Sequence, residues 1–80
     1  MTMSDIESST RTVMAKVLQI APQDISPDVS RENLAAWDSL KHMNLMLALE
    51  DEFGIEFSDQ EIAGLNSLRL LVDALRTKCS

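Results

Sequence analysis

The side chain with the clearest chemical opportunity in this chain is the hydroxyl of Ser39, within Asp38-Ser39-Leu40. Asp38 is a good N-cap, because its carboxylate can accept from the unpaired amides of a first helical turn. Ser39 then stands at the first helical position. A phosphate esterified to its hydroxyl would lie by the positive end of the helix, where anions are favoured. The tripeptide alone is a weak signal, since a serine at a helix start most often only completes a cap. Catalysis by a serine–histidine pair is the other chemistry to weigh, as His42 lies one turn further on. The two side chains diverge by about 60° on a helical wheel, and His42 points with Leu45, Leu49 and Phe53. That makes His42 a partly covered residue capping the core. Nothing supplies an oxyanion hole, so we reject an enzyme. One histidine and one distant cysteine make no metal site. Two glycines make no phosphate loop, and Asp51, Glu52 and Asp59 lack the spacing of a calcium-binding loop.

The element that positions Ser39 spans Trp37 to Gly54, WDSLKHMNLMLALEDEFG. Trp37 can staple the entry of the helix, Gly54 fits a left-handed stop, and Ile55 can fold back on the last turn. At about 100° per residue, Leu45, Met46, Leu49 and Phe53 form one apolar stripe, whereas Leu40, Met43 and Leu47 form another. A helix needs one stripe to join a core. The second is either more core or a surface that something else covers. Glu50 and Asp51 flank it, which favours a docking face. Glu50, Asp51 and Glu52 also crowd the negative end of the helix, an unfavourable place worth roughly 0.3–1 kcal/mol each. We read them as an attraction for a basic partner.

Those residues in that setting resemble the acyl carrier protein family, the phosphopantetheine-binding carrier domains. The resemblance rests on Asp38-Ser39-Leu40, on the helix Leu45 to Gly54 and on Ile55-Glu56-Phe57-Ser58-Asp59-Gln60-Glu61, and it extends over nearly the whole chain in length and element order. It implies that Ser39 carries 4′-phosphopantetheine as a phosphodiester and that Asp38 and Ser39 are read by the phosphopantetheinyl transferase. Carriers of fatty acid synthesis usually have a glycine and a small residue before Asp-Ser; here Ala36 and Trp37 stand there. Lys41, His42 and Asn44 stand where those carriers often have acidic residues early in the helix, and Lys41 and His42 near the serine suggest an altered partner preference. The Trp-Asp-Ser-Leu form looks more like stand-alone carriers of polyketide, nonribosomal-peptide and aminoacyl pathways.

Eighty residues fit one small carrier domain, 1–80, with tails expected to be disordered at 1–3 and 78–80. The resemblance implies an all-α fold: a small four-helix bundle, three longer helices and one short, with a long first loop. Burying an aliphatic side chain gains roughly 1.5–3 kcal/mol, against about 1–2 kcal/mol of backbone entropy per residue. A domain this size has little margin for idle apolar surface. The net charge of −6 argues against a nucleic-acid role. Cys79 has no second cysteine to pair with and reads as an inert thiol. There is no signal peptide or membrane-spanning run, so a cytoplasmic monomer is expected.

Ser4 and Glu7 have capping-box spacing and should start the first helix, with Ile6, Thr10, Val13, Val17 and Ile20 facing inward. Pro22 and Pro27 open a long connection, 21–37, which Ile25, Val29 and Leu34 can tack down, with a turn at Ser30 and Asn33. Ser58 and Glu61 should cap a short third helix that Gly64 ends. Asn66 or Ser67 should cap a fourth, with Leu68, Leu71, Val72 and Leu75 inside and Leu70 outside.

Two functions fit. In the first, the chain is a carrier: an acyl or aminoacyl group rides as a thioester on the arm at Ser39, and a loading ligase and downstream acyl-transfer enzymes meet the face of Leu40, Met43, Leu47, Glu50 and Asp51. In the second, it is a cofactor-free acidic helical adaptor for a basic protein partner. Only the first needs Ser39.

Overall fold

The computed structural model describes the backbone of residues 3–79 and the side chains of residues 6–78. Four α-helices follow in order: α1 (Met3–Leu18), α2 (Ser39–Phe53), α3 (Asp59–Gly64) and α4 (Leu68–Cys79), with a 3₁₀ turn at Pro22–Asp24 in the first loop. The described residues therefore form the expected small helical bundle, with a long connection ahead of α2. α1 packs on both α2 and α4 and is the element they share.

α2, α3 and α4 each start on a side-chain cap. Asp38 accepts from the Lys41 amide at 2.8 Å, and Gly54 closes α2 at φ 65°. A side chain at Gly54 would be strained by that left-handed backbone. Ser58 and Glu61 form a reciprocal capping box at the start of α3, and Ser67 accepts from the Leu70 amide to start α4. The first helix starts at Met3, next to the expected start near Ser4, whose side chain lies outside the described residues. Met3 is helical, and α4 continues through Lys78, whose ammonium meets Glu61 at 3.0 Å and lies over the Phe57 ring. Residues 1, 2 and 80 lie outside the described residues.

The core draws Ile6, Val13, Met14, Ala15 and Leu18 from α1, Leu45, Met46 and Leu49 from α2, and Leu68, Leu71, Val72 and Leu75 from α4. Met14 and Leu18 were not on the expected face. That face ran along Val13 and Val17, but α1 sits between two helices and buries a wider arc, leaving Val17 only half-buried. Thr10 is fully buried and returns its hydroxyl to the Ile6 carbonyl at 2.7 Å.

The long loop is pinned at several points. Ile25 and Val29 are buried, and Arg11 of α1 donates to the Ile25 carbonyl. Asn33 shapes the expected turn: its side chain accepts from the Ser30 amide and donates to the Asp28 carbonyl. Residues 29–31 then pair antiparallel with the start of α4, the Leu68 amide donating to Val29 and the Arg31 amide to Asn66, at 3.0 and 2.9 Å.

Glu61 yields a pH prediction. Its carboxylate accepts from the Ser58 amide and then pairs with Lys78, and these partners hold its pKa below the ordinary glutamate range. A depressed folded-state pKa contributes stability above the unfolded value that disappears as pH falls through the folded value. The α3 cap should therefore weaken on acidification below the ordinary glutamate range. Glu61→Gln should remove that component, which pH-dependent thermal melts of the two proteins would measure; equal acid sensitivity would refute it.

Candidate functional site

Ser39 begins α2 with its side chain exposed. Asp38 caps the helix beside it, also exposed, so hydroxyl and carboxylate stand together at the positive end of α2. The Ser39 Oγ accepts from Nη2 of Arg31 at 3.0 Å. Sequence reasoning missed Arg31, which lies eight residues upstream in an irregular loop, and no helical spacing relates the two. Its Nε is buried and has no hydrogen-bond partner.

Beyond Ser39, the outer face of α2 carries a ridge of Leu40, Met43 and Leu47, which are 69%, 46% and 56% exposed. These fractions decide between the two readings of the second stripe: the fold does not use it. The opposite stripe is consumed, with Leu45, Met46 and Leu49 buried. The two acidic flanks are not alike. Asp51 is exposed, but Glu50 is half-buried and its Oε2 accepts from the Phe57 amide at 2.8 Å. Glu50 thus fastens the segment returning from Gly54 over the last turn of α2. Glu50, expected in the charged rim, thus has one oxygen engaged within the fold: the amide it holds lies seven residues further along the chain, which a wheel does not display. A hydrogen bond from a backbone amide to a charged carboxylate is worth about 1.5–3 kcal/mol. Glu50→Ala should lower stability by about that amount, discounted toward 1 kcal/mol for partial exposure; an unchanged urea midpoint would exclude the clasp.

His42 lies on the expected inner side of α2 but deeper than expected. It is buried rather than partly covered, and it faces away from the ridge. Nδ1 accepts from the Trp37 indole N–H at 2.9 Å. An indole nitrogen can only donate, so Nδ1 is unprotonated and Nε2–H donates to the Ile62 carbonyl, 2.6 Å away. The ring therefore links the entry of α2 to α3. No visiting protein can read it, so the partner preference attributed to Lys41 and His42 loses its histidine component. Trp37, expected as an entry staple, is a core residue at 1% exposure.

The arrangement offers an accessible hydroxyl at a helix start, a guanidinium in contact with it, and an uncovered apolar ridge along the same helix. Among the described residues, no group of three or more His, Cys, Asp or Glu could hold a metal ion, and none of the described helices is long and apolar enough to cross a membrane.

Residues 9–75 match the family model described as the phosphopantetheine attachment site. A curated relative, the acyl carrier protein of Thermosynechococcus vestitus (strain NIES-2133 / IAM M-273 / BP-1), is 34% identical over 79 residues, covering 98% of this chain and 96% of its own. Among solved structures, the acyl carrier protein from Enterococcus faecalis superimposes with a TM-score of 0.76 at 23% identity, covering 98% of this chain and 99% of that one. The last likeness bears on the fold.

Proposed function

Because this chain belongs to the phosphopantetheine-binding acyl carrier protein family, whose members bear covalent 4′-phosphopantetheine, we propose that Ser39 is the residue that carries the arm. The observation that carries this reading is the exposed Ser39 hydroxyl at the positive end of α2, beside Asp38. A phosphodiester fits there: it adds one negative charge where the helix dipole favours it and where Arg31 already touches the oxygen to be esterified. When bound, the group supplies a terminal thiol on a long flexible arm. The protein supplies a fixed root for that arm and a surface by which enzymes recognise it.

Attachment exchanges one bond for another. The Ser39 oxygen bonds to the phosphorus nearest pantetheine in coenzyme A as the pyrophosphate bridge breaks; adenosine 3′,5′-bisphosphate leaves, and the hydroxyl proton passes to a base of the transferase. Asp38 and Ser39 are the residues that the transferase reads. Leu40, Met43 and Leu47 supply the apolar contact for the transferase, a loading ligase and downstream acyl-transfer enzymes, with Asp51 as the charged rim. An acyl or aminoacyl cargo is held as a thioester, and tethering raises its effective concentration at each enzyme visited. Specialised pathways (polyketide, nonribosomal-peptide or aminoacyl) suit the chain better than bulk fatty acid synthesis. What supports this is Trp37 before Asp-Ser: its indole is bound into the core with His42, so the departure from a glycine-small entry is built into the packing. We place the chain in the cytoplasm as a monomer.

Incubation with coenzyme A and a broad-specificity transferase tests the reading. Intact-mass analysis should show a gain of one phosphopantetheinyl unit, and peptide mapping should place it on Ser39. No gain, or a gain on another residue, would refute it. The ridge has its own test. Met43→Asp with Leu47→Asp should slow transferase turnover by about 10-fold or more, since truncating a central contact commonly costs 1–2 kcal/mol or more. Both positions face solvent, so helical circular dichroism should persist. Unchanged turnover would remove the ridge from the docking surface.

A further inference from the structure

We propose that Arg31 is the phosphate-binding side chain of this carrier, its guanidinium closing on the two non-ester oxygens of the diester at Ser39. The inference rests on attachment at Ser39 and adds a residue that the Asp-Ser-Leu motif does not contain.

Arg31 is delivered to this place by the fold. Its own amide donates to the Asn66 carbonyl at 2.9 Å, next to the antiparallel bridge between Ser30 and Ser67. The backbone carrying the guanidinium is thereby tied to the start of α4. From that anchor Nη2 reaches the Ser39 Oγ at 3.0 Å. A neutral hydroxyl oxygen is a modest partner for a guanidinium, and esterification makes that oxygen a poorer acceptor still. The same esterification sets two charge-bearing oxygens one bond beyond it. A guanidinium presents parallel N–H groups in a fixed fork that matches such a pair, and the charge-assisted bonds are about twice as strong as neutral ones.

The second observation is the unmet donor. Arg31 Nε is buried without a hydrogen-bond partner, and an unsatisfied buried polar group is costly. A small turn of the guanidinium toward the diester brings its Nε–Nη2 edge to bear and relieves that cost. Asn66 Oδ1 is likewise buried and unpaired, and since the Asn66 carbonyl holds the Arg31 amide, it is the alternative partner for Nε that the test must separate from the diester. Asp38 adds charge of the opposite sign at the same helix end; its carboxylate already accepts from the Lys41 amide. Arg31 offsets the two adjacent anions, and it is the cation that a hydrogen bond brings to Ser39. The root of the arm is then held against α2 while the remainder stays free.

The test uses the apo and holo forms of wild type, Arg31→Gln and Arg31→Lys, with intact mass recording attachment in each. Attachment should move the Arg31 Nε–H resonance of wild type downfield. The phosphorus-31 resonance of folded wild-type holo protein should stand apart from that of the same protein unfolded in urea. Arg31→Gln should remove about half or more of that separation, and Arg31→Lys, which keeps the charge but lacks the fork, should retain an intermediate part. Amide spectra of α1 and α4 should be unchanged in both variants. An Nε–H resonance identical in apo and holo wild type would assign Nε to Asn66 and overturn the proposal, as would a phosphorus separation equal in wild type and Arg31→Gln. If those results came with normal attachment at Ser39, only the role of Arg31 would fall. A wild-type protein that gains no arm would overturn both.

Discussion

Ser39→Ala should abolish the mass gain on incubation with coenzyme A and transferase, and with it all loading of acyl groups, while leaving the fold intact. The loss should be total rather than graded, because an alanine methyl offers no lone pair to form the phosphate ester. The structure makes this a clean experiment. Asp38, not Ser39, caps α2, so the cap bond to the Lys41 amide survives. Alanine is also the better helix former by a few tenths of a kcal/mol. The Ser39 side chain is exposed, so no cavity opens. Circular dichroism and thermal midpoint should match wild type to within about 0.5 kcal/mol, as is usual for surface changes. If the variant gained the arm as readily as wild type, the attachment would lie elsewhere. If it lost helicity, a structural role would have been hidden in the hydroxyl.

Trp37→Ala should have the largest effect on stability. Truncating a buried tryptophan or phenylalanine costs about 3–5 kcal/mol, and Trp37 is 1% exposed. The change also removes the donor to His42 Nδ1, leaving a buried acceptor unmet at about 1–3 kcal/mol. The two costs overlap and are not summed. A chain of this length holds on the order of 4–12 kcal/mol in all, so the variant should lose about a quarter or more of its stability. In a domain of this size the thermal midpoint should fall by about 12 °C or more. Trp37→Phe separates packing from hydrogen bonding: it keeps most of the apolar volume and loses the N–H. Its cost should fall between those of wild type and the alanine variant. Urea denaturation followed by circular dichroism would measure all three. A loss below about 1 kcal/mol for Trp37→Ala would mean that the indole is dispensable to the packing.

These two residues also mark how far the chain was readable before its structure. α2 was legible end to end because its boundaries are local chemistry: Asp38 and Gly54 each act within one turn of their own position. The exposed ridge was legible for a related reason: a helix that buries Leu45 and Leu49 turns Leu40, Met43 and Leu47 to its other side, and the acidic flanks there favoured a surface over more core. What escaped depends on chain returning from elsewhere. A wheel shows the direction in which Glu50 leaves the helix but not the Phe57 amide waiting for it. His42 was placed on the inner side correctly, yet its depth depends on Trp37 and Ile62 enclosing it from a loop and from α3. Arg31 escaped because an irregular loop has no period from which to infer what its side chains touch. Met14 and Leu18 were overlooked because α1 faces two helices rather than one.

The pairing of residues 29–31 with 66–68 has a consequence for the order in which the molecule assembles. α2 can form from its own caps, but the loop before it is tied down by amides whose acceptors stand more than thirty residues away in the chain. Closing so wide a loop has an entropic cost that contacts nearby in sequence do not incur. The loop should therefore lock only once α4 has docked, and release ahead of the helices when native contacts loosen. Native-state hydrogen exchange would show this as the Arg31 and Leu68 amides exchanging together, at a lower opening free energy than the amides of Leu45 and Leu49.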